Sequence, residues 1–222
     1  VKELLSIGIQ PDVIVLRSEK PIGEDVKKKI ALFCNVREDC VIENLDLPLL
    51  YEVPLALRDE KLDEIVCRRL SLDTRGPDLS DWISMVHTAL SLTDSVKIAL
   101  VGKYVELRDA YLSVAEALTH GGIGNHVNVD VQWVDSEKIT DENVGEVLKD
   151  VDGVLVPGGF GERGIEGMII AIRWARENKV PFLGICLGMQ LAIVEYARDV
   201  MGLKDANSAE FDPQSKNHVI DL

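Results

Sequence analysis

Val180-Pro181-Phe182-Leu183-Gly184-Ile185-Cys186-Leu187-Gly188-Met189-Gln190 reads as a short buried strand, a sharp turn carrying a cysteine, and the opening of a helix. A fold presents a nucleophile in this way, at a strained corner backed by a helix N-terminus. Gly184 and Gly188 remove the side chains that would block so tight a bend. The sulfur of Cys186 then faces the amides of the first helical turn, whose partial positive charge favours thiolate, the attacking form. The competing reading makes Cys186 a small buried apolar residue at a strand end. The glycines on both sides favour the nucleophile.

Working outward, the same alternation of strand and helix runs from Val96 onward. Strands are expected at 96–102, 127–134, 154–157 and 181–185, the second of them nearer an edge. Helices are expected at 109–120, stopped by Gly121-Gly122, and at 144–148, 164–178 and 187–201. Strands alternating with helices of this length mean crossover units and a parallel sheet. Between the third strand and its helix lies Gly158-Gly159-Phe160-Gly161-Glu162-Arg163-Gly164, which from Gly159 matches G-x-G-x-x-G. A dinucleotide site also needs an acid at the end of the next strand, and that strand ends in Cys186. Two readings remain: a flexible glycine turn, or amides that approach a substrate oxygen beside the cysteine, making a nucleophile and an oxyanion hole.

Residues 1–70 form a separate α/β stretch. Strands are expected at 12–18 and 40–42, and helices at 23–34, with Asn35 as its stop, and 59–70. Between Pro48 and Pro54 the apolar run suggests irregular packing or a short helix. Arg75-Gly76-Pro77-Asp78 is the strongest breaker in the chain. It places a linker at 71–94, with one helix over 81–92 capped by Asp78 or Ser80, and a second domain at 95–222.

The chain has 222 residues, 46% of them hydrophobic and 28% charged, which are globular values. The net charge of −14 repels nucleic acid and argues against such a partner. No apolar run reaches the roughly 20 residues that span a bilayer, and Val1-Lys2-Glu3-Leu4-Leu5 shows no apolar signal core with a cleavage site. Cys34, Cys40, Cys67 and Cys186 form neither a zinc pattern nor a disulfide framework, so a reducing cytoplasmic setting is expected. His87, His120, His126 and His218 show no metal spacing, and none is placed as a base for Cys186. Lys27-Lys28-Lys29 reads by itself as a solvated helix face. The start at Val1 without Met and the strand-like end at Val219-Ile220-Asp221-Leu222 suggest a piece of a longer chain.

Val156-Pro157-Gly158-Gly159-Phe160-Gly161 with Gly184-Ile185-Cys186-Leu187-Gly188-Met189-Gln190 resembles the class I glutamine amidotransferases. Val101-Gly102-Lys103-Tyr104, Asp109-Ala110-Tyr111 and Asn207-Ser208-Ala209-Glu210-Phe211 narrow the resemblance to the CTP synthase family. So do Ser6-Ile7-Gly8-Ile9-Gln10-Pro11-Asp12 and Lys29-Ile30-Ala31-Leu32-Phe33-Cys34-Asn35-Val36. The resemblance runs through 1–222.

It implies an α/β, flavodoxin-like amidotransferase domain preceded by the end of an α/β amidoligase domain. The implied reaction turns UTP into CTP with ATP, Mg2+ and ammonia from glutamine. Cys186 would form the glutamyl thioester, with the amides of Gly159 and Leu187 as oxyanion hole. Gly188, Met189, Gln190 and Glu210 would line the glutamine pocket. Lys29 would contact the pyrimidine nucleotide, and Leu45-Asp46-Leu47 would contact ATP, although its neighbours differ from the family's pattern. Arg163 and Glu166 would belong to a loop that answers the activator GTP. CTP would inhibit, and the intact enzyme would be a tetramer. The family's phosphate loop, metal-binding acids and catalytic histidine–glutamate pair match nothing in this chain, so the 222 residues alone are expected to be nearly inactive. The alternatives are another class I amidotransferase or cysteine-elbow protein, and a non-catalytic assembly subunit.

Overall fold

A computed structural model describes residues 1–221 and divides the chain into two compact units, 1–91 and 92–222. The division falls inside the expected linker, because the helix there groups with the first unit.

In the first unit, after a short helix α1 (Lys2–Ser6), strand β1 (Ile14–Ser18) pairs in parallel with β2 (Val41–Leu45). Helix α2 (Glu24–Cys34) makes the crossover and stops at Asn35, whose left-handed φ of 51° lets Val36 N donate back to Ala31 O. Beneath them Cys40, Ile42 and Ile65 form a small core with Val13, Leu57 and Leu62. The apolar run between the prolines becomes a single tight turn and helix α3 (Val53–Asp59), with Pro54 in its first turn, where no intrahelical N–H is needed.

The helix expected over 59–70 begins instead at Leu62, as α4 (Leu62–Arg69). Lys61 sits at φ 61° and breaks it from α3. Glu60 is needed elsewhere: its carboxylate accepts from Glu43 N (3.1 Å) and Lys27 Nζ (3.2 Å). Helix α5 (Ser80–Ser91) starts one residue earlier than expected, so Ser80 lies inside it, after a turn in which Asp78 Oδ1 accepts from Ser80 N and Oγ. Trp82 Nε1 donates to Tyr51 O at 2.7 Å.

The second unit is a parallel sheet of β3 (Ser95–Gly102), β4 (Asn128–Asp135), β5 (Gly153–Val156) and β6 (Phe182–Gly184), in spatial order β4-β3-β5-β6. The chain steps from β3 to one side and then back to the other. This is the strand order of flavodoxin-like sheets, which bind ligands at the carboxyl ends of the strands. The helices are α6 (Leu112–Gly124), α7 (Val144–Leu148), α8 (Ile165–Asn178) and α9 (Leu187–Asp199).

Both faces of the sheet are covered. Ala99, Val101, Val154 and Val156 pack on one face with α7, α8 and α9, through residues such as Leu148, Met168, Ile172 and Leu191. Leu100 and Leu155 pack on the other face with Tyr111, Val114 and Leu118. Each fully buried Val, Leu, Ile or Met side chain among them contributes about 1.5–3 kcal/mol relative to an exposed one. Between α8 and α9, Glu195 is only 2% exposed and its carboxylate accepts three hydrogen bonds from Arg176. That pairing keeps a buried charge compensated.

One further expectation fails. Gly121-Gly122 does not stop α6, which runs to Gly124. Gly122 is small because the helix lies against β4: a Cβ there would sit 2.6 Å from Val127 O and 2.8 Å from Val129 Cγ2. The helix ends at Asn125-His126 instead, where His126 takes φ 58° and Val127 N reaches back to Gly122 O. A short parallel pair, β7 (Asn207–Ser208) with β8 (His218–Ile220), was expected only in part, at its second strand. Among the described residues no helix is long and apolar enough to cross a membrane, and no three His, Cys, Asp or Glu side chains converge as metal ligands.

Candidate active site

The carboxyl ends of β3, β5 and β6 lie side by side, because the three strands are parallel and consecutive in the sheet. They deliver Lys103, the Gly158–Gly161 loop and Cys186.

Cys186 is exposed and takes φ 52°, ψ −104°, a conformation that L-residues avoid. Packing enforces it. Ile185 N donates to Val156 O at 2.9 Å, and Gly188 N donates to Ile185 O at 3.0 Å, closing the turn. A Cβ on Gly188 would lie 2.1 Å from Val156 O, and one on Gly184 would lie 2.5 Å from the Gly188 carbonyl carbon. Strand, turn and helix touch backbone to backbone, which only glycine permits. Leu187 opens α9, so its amide has no intrahelical acceptor and is available at the corner.

The glycine loop comes to the same place. A Cβ on Gly158 would lie 3.5 Å from Cys186 Cβ, and one on Gly159 would lie 3.5 Å from Leu187 Cδ2. The structure therefore brings together Cys186, Gly159 and Leu187. A sulfur nucleophile, a glycine amide and a helix-opening amide are the parts needed to attack a carbonyl carbon and hold the oxyanion that forms.

Gln190 and Glu210 line one cavity of about 370 Å³ with Ser208, Ala209, Ile220 and Asp221. Glu210 is carried on the turn after β7, its amide donating to Ser208 Oγ at 3.2 Å. Met189 departs from this group. Its side chain lines a separate apolar groove of about 490 Å³ with Phe182, Ile193, Tyr196 and Met201. Consecutive helical residues diverge by about 100°, and here Met189 and Gln190 face different hollows. Gly188 is buried against β5 and acts through its lack of a side chain.

Arg163 and Glu166 are parted. Arg163 ends the glycine loop. Its guanidinium donates to Lys103 O at 3.0 Å, pairs with Glu137 and lies 5.5 Å over the Tyr104 ring. Glu166 is in the first turn of α8, and both its oxygens accept from Arg198 Nη1 at 3.0 Å. In the first unit, Lys29 is exposed on α2, whereas Lys27 carries the ion pairs, to Glu43 and Glu60. Leu45 ends β2. Asp46 follows it, its carboxylate accepting from Arg17 Nε at 2.8 Å, and Leu47 is half-buried.

Sequence reasoning quoted Lys103 without a role. It is 4% exposed, and its Nζ donates to Phe160 O (2.9 Å) and Gly161 O (2.6 Å). Burial, and then the nearby Arg163, push its pKa below that of an ordinary lysine, while Glu210 and Glu137 oppose the shift. Its amide and that of Tyr104 both donate to the Tyr111 hydroxyl, at 3.2 and 3.3 Å. Burial pushes the Tyr111 phenol up, against those two donors.

Comparison with known proteins agrees with this geometry. The family model for class-I glutamine amidotransferases matches residues 106–222, and that for the CTP synthase N-terminus matches residues 1–72. CTP synthases of Clostridium acetobutylicum and Clostridium perfringens are each 62% identical over 222 residues. That of Halalkalibacterium halodurans is 60% identical. These alignments take in all of this chain and 42% of each relative, so the chain spans less than half the length of the proteins it matches. Among solved structures, the glutaminase domain of Trypanosoma brucei CTPS with bound acivicin superposes with a TM-score of 0.54 at 42% identity. The superposition covers 57% of this chain and 50% of that one. The chain belongs to the class-I glutamine amidotransferase family, and its first 72 residues match the family model for the CTP synthase N-terminus.

Proposed function

We propose that the protein to which this chain belongs is a glutamine-hydrolysing CTP synthase, and that residues 95–222 carry the glutaminase chemistry. The observation that supports this most is the corner at Cys186 with Gly159 and Leu187 against it. Sγ as thiolate attacks the side-chain amide carbon of glutamine. The carbonyl electron pair moves to oxygen, which the Gly159 and Leu187 amides receive. The intermediate collapses to the γ-glutamyl thioester as the amide nitrogen takes a proton and leaves as ammonia. Water then attacks the thioester, giving glutamate and the free thiol. Gln190 and Glu210 hold the amino-acid end of the substrate in their shared cavity, Glu210 through the ammonium group.

Ammonia is consumed at a synthase site on which UTP and ATP meet, with Lys29 at the pyrimidine nucleotide and Leu45-Asp46-Leu47 near ATP. Among the described residues no acidic cluster fits Mg2+. GTP as activator through Arg163 and Glu166, CTP as product inhibitor, a homotetramer, a domain order of 1–70, 71–94 and 95–222, and a cytoplasmic setting complete the reading. In the complete protein, Cys186→Ala should abolish glutamine-dependent CTP formation and leave ammonia-dependent formation unchanged. Glutamine-dependent turnover that survives the substitution refutes the assignment.

A further inference from the structure

Of all the charged side chains in the second unit, Lys103 is the one whose burial the proposed steps leave unexplained. Its methylene stem lies against the glycine loop: a Cβ on Gly159 would sit 3.1 Å from Lys103 Cε and 3.5 Å from Leu187 Cδ2. Gly159 thus meets both the lysine stem and the residue that opens α9. The ammonium beyond it collects two successive carbonyls, those of Phe160 and Gly161. Successive carbonyls normally diverge. Gly161 at φ 73° turns its own carbonyl back so that both converge on one cation. Lys103 is itself fixed from behind, by Arg163 on its carbonyl and Tyr111 on its amide. The Phe160 side chain, 83% exposed, does nothing to pack the loop.

We infer that Lys103 is a positioning residue for the oxyanion hole: its ammonium fixes the peptide planes of the Gly158–Gly161 loop, and its stem sets the gap between the Gly159 and Leu187 amides. This rests on the thioester reading above. It adds that the lysine acts only where an oxyanion develops, and touches neither the sulfur nor the ground-state substrate. A buried ammonium bound to backbone carbonyls costs desolvation that an apolar side chain would avoid, so a purely structural role is better served by methionine.

The test uses the complete protein with Lys103→Met, which keeps the stem and removes the charge. Glutamine-dependent kcat should fall about 100-fold, the low end of the range for loss of an oxyanion donor, with KM for glutamine changed less than about threefold. Inhibition by an aldehyde analogue of glutamine, whose adduct with Sγ bears an oxyanion, should weaken by a similar factor. Alkylation of Cys186 by iodoacetamide, which forms no oxyanion, should keep its rate, and ammonia-dependent synthesis should be unchanged. Gly161→Ala meets open space but strains φ, so it perturbs the same carbonyls without touching the buried charge. It should give the same signature. A fall in alkylation equal to the fall in kcat overturns the inference in favour of sulfur activation. A loss confined to KM, or wild-type kcat in both variants, overturns it outright. Should Cys186→Ala retain glutamine-dependent activity, the thioester reading itself fails, whatever Lys103 does.

Discussion

Replacing Gly188 by alanine tests whether the cysteine corner is built by backbone contact. The new Cβ falls 2.1 Å from Val156 O, 2.8 Å from Val156 C and 2.9 Å from Val156 Cβ. Real Cβ atoms do not approach within 3.0 Å, and the atoms they meet are main chain of a central strand, which cannot swing aside. The start of α9 must therefore lift from β5 by about 0.9 Å. That displacement carries Cys186 and the Leu187 amide with it, away from Gly159. Misplacement by about 1 Å costs roughly 100-fold in rate where reacting groups must be aligned. Overpacking of this kind costs about 1–3 kcal/mol of stability. At about 3 °C per kcal/mol for a chain of this size, Tm falls by roughly 3–9 °C. Glutamine-dependent kcat and calorimetric Tm measure the two effects, with the ammonia-dependent rate as internal control. Wild-type kcat together with unchanged Tm in Gly188→Ala refutes the contact geometry and the argument from it.

Neighbouring glycines in α6 separate by the same logic. Gly121→Ala meets open space in a helix interior and should stabilise by about 0.5–1 kcal/mol. Gly122→Ala collides with Val127 O and should destabilise, so urea midpoints of the two variants move in opposite directions. In the first unit, the Arg37 hydrogen bonds hold the Asp39 carboxyl below the usual range against a burial effect, helped by Arg68. A depressed folded pKa means that this stabilisation is present above about pH 4, the unfolded value. It is lost as pH falls through the folded value. The urea midpoint of Arg37→Met should lie below that of the wild type near neutrality, and the two should converge below about pH 4.

Much of the second unit was legible because its signals are local. Val96–Gly102 is an apolar run interrupted only by Lys97 and reads as a strand, and Gly184 and Gly188 announce a corner four residues wide. The cavity shared by Gln190 and Glu210 agrees with a resemblance rather than with any periodicity. Elsewhere, the failures come from contacts distant in sequence. Nothing within 59–70 reveals that Glu60 is claimed by Glu43 N and Lys27, which breaks the helix at Lys61. Gly121-Gly122 looks like a stop until β4 lies against it, and the spacer becomes a contact. Met189 and Gln190 are adjacent in the motif but face different hollows, a difference set by what packs around α9. Lys103 directly after an apolar strand was the one visible hint of a buried cation, and its acceptors are more than fifty residues away.

That separation also imposes a schedule on the growing chain. Lys103 and Gly161 are 58 residues apart. At synthesis rates of about 5–20 residues per second, the lysine leaves the ribosome roughly 3–12 s before the carbonyls it will hold. During that interval β3 and β4 can pair, but the ammonium must stay hydrated, because nothing yet made can replace its water. Only when β5 docks beside β3 do Phe160 O and Gly161 O arrive together and allow the charge to go under. Closing the sheet and shaping the glycine loop are then one event, and the loop that awaits Cys186 is already set when the cysteine emerges.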